Sequence, residues 1–339
     1  MNMESANRIV WIDQIRGFCM MLILWFHTEM YYAKADGTSY HFYVCNALTA
    51  FFFLSGYLFF TEKPFSVPHK LVSVCRGIIV PYFIYTAIMA FPKAFMNDLP
   101  LQDVLVNILL GRASWFIAAL TLAELCFIGI RWLNEKFRWL YEKFRWLNED
   151  CMVCAAFIVS LTAARLLTGT NLTINYNYWH CHSALIALAF ICLGYLYHKH
   201  EAHFQRFNTT ISASLLILLF IATKIYVWHR GVSLLICPVS ISNYPVFIID
   251  NCCFILVLIA LFRRLPGVCC LSWTGKHSLV YYFFCGAVPM ATAWMLEALH
   301  LSCDNRYWLM PLAFLLVYAL TTLIVWLNHY LLKKVNISL

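Results

Sequence analysis

The chain has 339 residues, 63% of them in the set AVILMFWYC and only 12% charged, with a mean hydropathy of +0.73. Soluble domains carry about 45–50% apolar and about 25% charged residues, so soluble enzymes, DNA-binding domains and disulfide scaffolds are excluded. A bilayer-spanning helix needs about 20 mostly apolar residues, and this length then allows roughly nine to eleven crossings by one all-α, polytopic membrane protein.

Hydropathy places spans near 9–32, 42–61, 76–96, 114–132, 151–168, 182–198, 209–228, 244–262, 272–294 and 308–330. Ten helices are therefore expected. Basic residues collect in alternate connections (Lys63, Lys70 and Arg76; Arg131 to Arg145; Arg263, Arg264 and Lys276; Lys333 and Lys334). The intervening connections hold only Lys34, Lys93, Arg112, Arg230 and Arg306. By the positive-inside rule this puts both termini on the cytoplasmic side. The formal charge of +8 is thus topological and does not call for nucleic acid. The 15 cysteines lie mostly within apolar runs, where a thiol behaves as a small hydrophobe. Cys151 and Cys154 have no second pair at metal-site spacing, so no metal is expected.

The first span carries Asp13, Arg16 and His27, and ionisable groups within a membrane helix are functional candidates by default. Eleven residues from Arg16 to His27 turn a helix about 1100°, within about 20° of three full turns, and Asp13 stands one turn before Arg16. All three share one face, with Arg16 and His27 about 16 Å apart along the axis. Glu29 points about 200° away from His27 and belongs to the loop edge.

Further along, RWLNEKFRWLYEKFRWLNE at 131–149 repeats Arg131, Arg138 and Arg145, and Trp132, Trp139 and Trp146, every seven residues. Such a segment suits a basic, Trp-rich helix at the lipid surface. Glu124 and Asp250 are carboxylates within spans, each a possible partner of Arg165 or Lys224. Trp179, His180 and His182 form an outer cluster, and His198, His200 and His203 are expected in a solvated loop. No Pro/Gly/Ser-rich linker interrupts residues 1–339, so one transmembrane domain is expected.

Spacing alone leaves the role of the first-helix face open, because an anchoring arginine and a core histidine would produce the same pattern. The combination of D-x-x-R-G, His27 eleven residues after Arg16, and FFFLSGYLFF at 51–60 resembles the acyltransferase 3 family of integral-membrane acyltransferases. RGIIVPYF at 76–83, SWFIAAL at 114–120, FICLGYLYHK at 190–199 and LSWTGKHSLVYYFFC at 271–285 are similar to that family's later motifs, in the same order. Two departures stand out. Cys285 occupies a position where many members have His, so that histidine's role is absent here or moved to His277. The third helix opens with only Lys70 and Arg76, where the family usually has several basic residues.

The resemblance implies an O-acetyltransferase-like enzyme in the inner or plasma membrane. It would move an acetyl or other short acyl group from cytoplasmic acyl-CoA to a hydroxyl of a cell-surface or lipid-linked carbohydrate. CoA is a polyanion, and Arg16, with Arg76, Lys70 and Lys276 as further candidates, would hold its phosphates. His27 would act as general base or as a covalently acylated nucleophile, and Asp13 would orient Arg16. Ser55, Trp115 or a backbone N–H would face the oxyanion, while Trp115, Trp179 and His182 are candidates for the acceptor sugar. A secondary transporter or flippase is the other class that places charges on membrane helices, but no internal repeat supports it.

Overall fold

The computed structural model describes residues 9–34, 40–62, 64–96, 99–138, 148–170, 173, 177–205, 209–303 and 306–334. Helices dominate it. Among the described residues, eight are long and apolar enough to cross a membrane, or up to nine if one bent pair counts as a span. The first helix, α1 (Val10–Thr28), falls outside that number because Asp13, Gln14, Arg16 and His27 interrupt its 19 residues. The chain is an all-α polytopic membrane protein with one small addition, described below.

Two compact units emerge. The first comprises Met1–Phe51, Asn208–Ser233 and Asn243–Ser338, and the second comprises Phe52–Phe207 with Leu234–Ser242. The helix α2 (Cys45–Phe59) is divided between them.

In the second unit, α3 (Val67–Val74) runs through a π-helical turn into α4 (Val80–Met96), and a short α5 (Leu101–Leu109) precedes α6 (Trp115–Lys136). Next come α7 (Glu149–Leu167), α8 (Cys181–Lys199) and α9 (Glu201–Gln205). Asn148 starts α7 by accepting from the Cys151 N–H at 2.9 Å, which satisfies one orphan donor of the first turn. The end of α2 crosses α8 at very short range. A Cβ on Gly56 would collide with the Ile191 carbonyl, and one on Gly194 with the Phe53 carbonyl. Gly56→Ala is therefore expected to cost about 1–3 kcal/mol through overpacking, read as a lower melting temperature in detergent. Gly129→Ala serves as the control, since nothing lies within 4 Å of the added carbon.

The addition is a hairpin. Strand β1 (Leu234–Ile236) pairs antiparallel with β2 (Val239–Ile241) around Cys237 and Pro238, and Ser183 on α8 donates to the Ile236 carbonyl at 2.8 Å. Nothing in the apolar periodicity distinguishes so short a strand pair from a loop.

In the first unit, α10 (Thr210–Arg230) and α11 (Tyr244–Phe262) lie side by side. Thr209 and Asn243 cap them, accepting from Ser212 N–H at 3.2 Å and Val246 N–H at 3.1 Å. Then follow α12 (Cys269–Lys276), α13 (Ser278–Phe284), α14 (Ala287–Ala298) and α15 (Met310–Lys334). Helices α13 and α14 form a pair bent by 48° at Cys285–Gly286. Ile211, Leu215, Leu218 and Trp228 stand exposed along α10, as befits a lipid-facing surface.

The repeat at 131–149 is not one continuous helix, contrary to expectation. Its α6 portion ends at Lys136, Asn148 starts a new helix, and Arg131 forms an ion pair with Glu149. A straight helix would hold those two residues about 27 Å apart. Residues 139–147, with Trp139, Arg145 and Trp146, lie outside the described residues.

Candidate functional site

The polar face of α1 is continuous helix from Val10 to Thr28, so the geometry inferred from spacing applies. At its first turns α12 crosses at close range. A Cβ on Gly17 would strike the Leu271 carbonyl, and one on Gly275 would strike the Asp13 carbonyl. Asp13 and Arg16 thus stand on the turns that α12 covers, both half-buried, and exposed Lys276 follows Gly275 on the crossing helix. Of the residues expected to hold CoA phosphates, Arg16 and Lys276 are brought to the same crossing.

At the other end His27 is half-buried, and its Nδ1 is sealed from solvent with no hydrogen-bond partner among the described residues. A buried polar atom left unpaired costs about 1–3 kcal/mol, and among the described residues His27 Nδ1 shares this state with a few others, His180 Nε2 included. The surroundings are aromatic. Phe26 meets the imidazole edge-on at 5.4 Å, and Tyr31 stacks on it with centroids 6.3 Å apart and planes at 17°. Tyr31 lies in a π-helical turn, Glu29–Ala33, that continues α1. Such turns recur at functional sites. Tyr32 fixes this one by donating to the Leu301 carbonyl at 2.6 Å and by packing with Ala293, Leu296 and Met310. Glu29 accepts from the Tyr43 hydroxyl at 3.2 Å, as suits a group on the opposite side from His27.

The first unit holds a second polar centre that spacing alone leaves half-solved. Lys224 on α10 donates to Asp250 on α11 at 2.7 Å, to the Asn46 side chain at 2.7 Å and to the His41 carbonyl at 2.9 Å. Asp250 also accepts from Asn46 at 2.7 Å and Thr223 at 3.0 Å. Asn251, in turn, accepts from Asn46 at 3.0 Å and Thr49 at 2.6 Å. Asn46, Thr49, Asp250 and Asn251 are all 0% exposed. A charge pair so placed persists only with its hydrogen bonds complete, and these bonds tie α2, α10 and α11 together.

In the second unit, the Ser55 hydroxyl donates to Glu124 on α6, and both are buried. The proton of Ser55 is thereby committed to a carboxylate. Lys70 places its ammonium 4.6 Å from the Phe59 ring, and Arg76 is exposed on the turn Cys75–Ile79. Trp179 packs on Tyr82 at 5.4 Å and Phe83 at 6.2 Å, and Trp115 lies 6.4 Å from His180. His182 is buried, with Nε2 2.7 Å from the Ala164 carbonyl.

Of the three histidines expected in a solvated loop, His203 is exposed, while His198 and His200 have partners. His198 stacks on Tyr57 at 3.9 Å with planes at 2°, and its Nδ1 lies 2.7 Å from the Tyr57 carbonyl. His200 meets Asp150 at 2.9 Å, beside Lys199, which bridges Glu149 and Asp150. Among the described residues, no group of three His, Cys, Asp or Glu is placed to hold a metal ion.

These features define a class first: a multi-pass helical membrane protein with one ionisable face on its first helix and an unpaired imidazole near that helix's end. A family model described as an acyltransferase domain matches residues 9–329, nearly the whole chain, and the chain belongs to this acyltransferase 3 family of membrane acyltransferases. No curated protein and no solved structure matches it.

Proposed function

We propose that this membrane acyltransferase moves a short acyl group, acetyl foremost, from acyl-CoA to a hydroxyl of a cell-surface or lipid-linked carbohydrate in the inner or plasma membrane. The observation that carries the proposal is His27. Its buried, unpartnered Nδ1 belongs to a ring three turns from Arg16 on one helix face. His27 takes the acceptor proton as the hydroxyl oxygen attacks the thioester carbonyl. The resulting tetrahedral intermediate collapses with rupture of the C–S bond, and the proton passes to the departing CoA thiolate. Arg16, oriented by Asp13 and joined by Lys276 at the α12 crossing, attracts the CoA phosphates. Lys70, Arg76 and Ser55 are the second unit's candidates for the same donor. Trp115, Trp179 and His182 are its candidates for the acceptor.

Calorimetry with acetyl-CoA tests the donor directly, because it needs no knowledge of the acceptor. Saturable binding is expected for the wild type, with at least tenfold weaker binding for Arg16→Ala and near wild-type affinity for His27→Ala. A folded wild type that binds no acetyl-CoA would remove the donor assignment and favour a transporter.

A further inference from the structure

A general base accounts for the proton but leaves the negative charge on the carbonyl oxygen of the intermediate, and Ser55 has its proton engaged by Glu124. The end of α1 offers another donor. Tyr31 stands one turn beyond His27 and stacks on its ring, so its hydroxyl is carried on the same side of the helix. Among the described residues no hydrogen-bond acceptor takes that hydroxyl's proton. The neighbouring element is the break between α13 and α14, and the Tyr31 hydroxyl lies 4.0 Å from where a Cβ on Gly286 would sit. Apart from the residues on either side of Gly286 in the chain, no other heavy atom comes within that distance of the added carbon, so a methyl group would fit there.

An imidazole nitrogen and a phenolic O–H, both unengaged by the fold among the described residues, are therefore carried on one side at the end of α1, with the phenol facing the bend at Gly286. We infer that Tyr31 is a further catalytic residue, whose hydroxyl donates a hydrogen bond to the oxyanion of the intermediate formed over His27. In the attack step the acceptor oxygen forms a bond to the carbonyl carbon, and the π pair moves onto the carbonyl oxygen. The acceptor's proton goes to His27. Tyr31 keeps its own proton throughout and gives only its hydrogen bond. On collapse the C=O bond re-forms and the C–S bond breaks. The anchoring of the adjacent Tyr32 fixes the turn that carries the phenol, as preorganised stabilisation requires.

This inference rests on the acyl-transfer role proposed above, and the test separates the two. Full-length protein in lipid nanodiscs is given acetyl-CoA and a mixture of methyl glycosides, and free CoA thiol is followed. Tyr31→Phe removes the hydroxyl and keeps the stacked ring. The expected result is a fall in kcat of about 10²–10³-fold, the range for loss of one oxyanion donor. The KM for acetyl-CoA, its calorimetric affinity and the melting temperature should stay near wild type. Turnover within twofold of wild type would overturn the role of Tyr31 while leaving acyl transfer intact. Loss of turnover together with equal loss of acetyl-CoA affinity or of folded protein would overturn it as well, by making Tyr31 a packing residue. A folded wild type that releases no thiol would instead remove the acyl-transfer role on which the inference rests.

Discussion

Replacing His27 by Ala is expected to lower turnover about 10²–10⁴-fold, the range that a positioned general acid–base contributes, without loss of folded protein. The structure explains why folding should be spared. The Nδ1 atom makes no hydrogen bond that the substitution would break, and the aromatic neighbours Phe26 and Tyr31 belong to the same continuous stretch of helix. His27→Gln should be as inactive as His27→Ala, because a carboxamide fills the space and accepts a hydrogen bond but cannot hold a proton at neutral pH. Thiol release from acetyl-CoA with glycoside acceptors measures both variants. Wild-type turnover in either would leave the imidazole as a core residue and shift attention to another base.

The second large effect concerns stability. Lys224→Met leaves the Asp250 carboxylate buried at 0% exposure without its cation, and removal of one partner from such a pair costs about 3–5 kcal/mol. An ordinary interhelical hydrogen bond in a bilayer averages about 0.6 kcal/mol, so the magnitude itself distinguishes an unpaired charge from a lost polar contact. The double substitution Lys224→Met, Asp250→Leu removes both charges and should recover most of the loss. Reversible unfolding in mixed micelles gives the comparison. A single-variant loss below about 1 kcal/mol would mean that water or lipid headgroups already reach the pair.

Much of this was legible in the residues because it is local. The shared face of Asp13, Arg16 and His27 follows from the pitch of a helix, and the helix proved unbroken across all three. Asp250 had two cations within plausible reach, and Lys224 is the one it meets. Glu124 shows where such reasoning stops. It stands against Ser55, 69 residues away, and neither Arg165 nor Lys224 could be preferred to a serine without knowing which helices are neighbours. His198 and His200, at the end of α8, show the complementary limit. Their polarity suggests water, but Tyr57 and Asp150, far off in sequence, supply partners that no compositional pattern announces. The bend at Cys285–Gly286 escaped for a different reason, since hydropathy averages over a span and is blind to a change of direction within it.

The ion pair between Arg131 and Glu149 has an evolutionary consequence. It joins the opening arginine of the tandem segment to its final glutamate, so both boundaries of the duplicated stretch are fastened to the helical body. Every copy carries an arginine at its start and a glutamate near its end, so gain or loss of one seven-residue copy leaves an arginine and a glutamate at the two boundaries to form the same clasp.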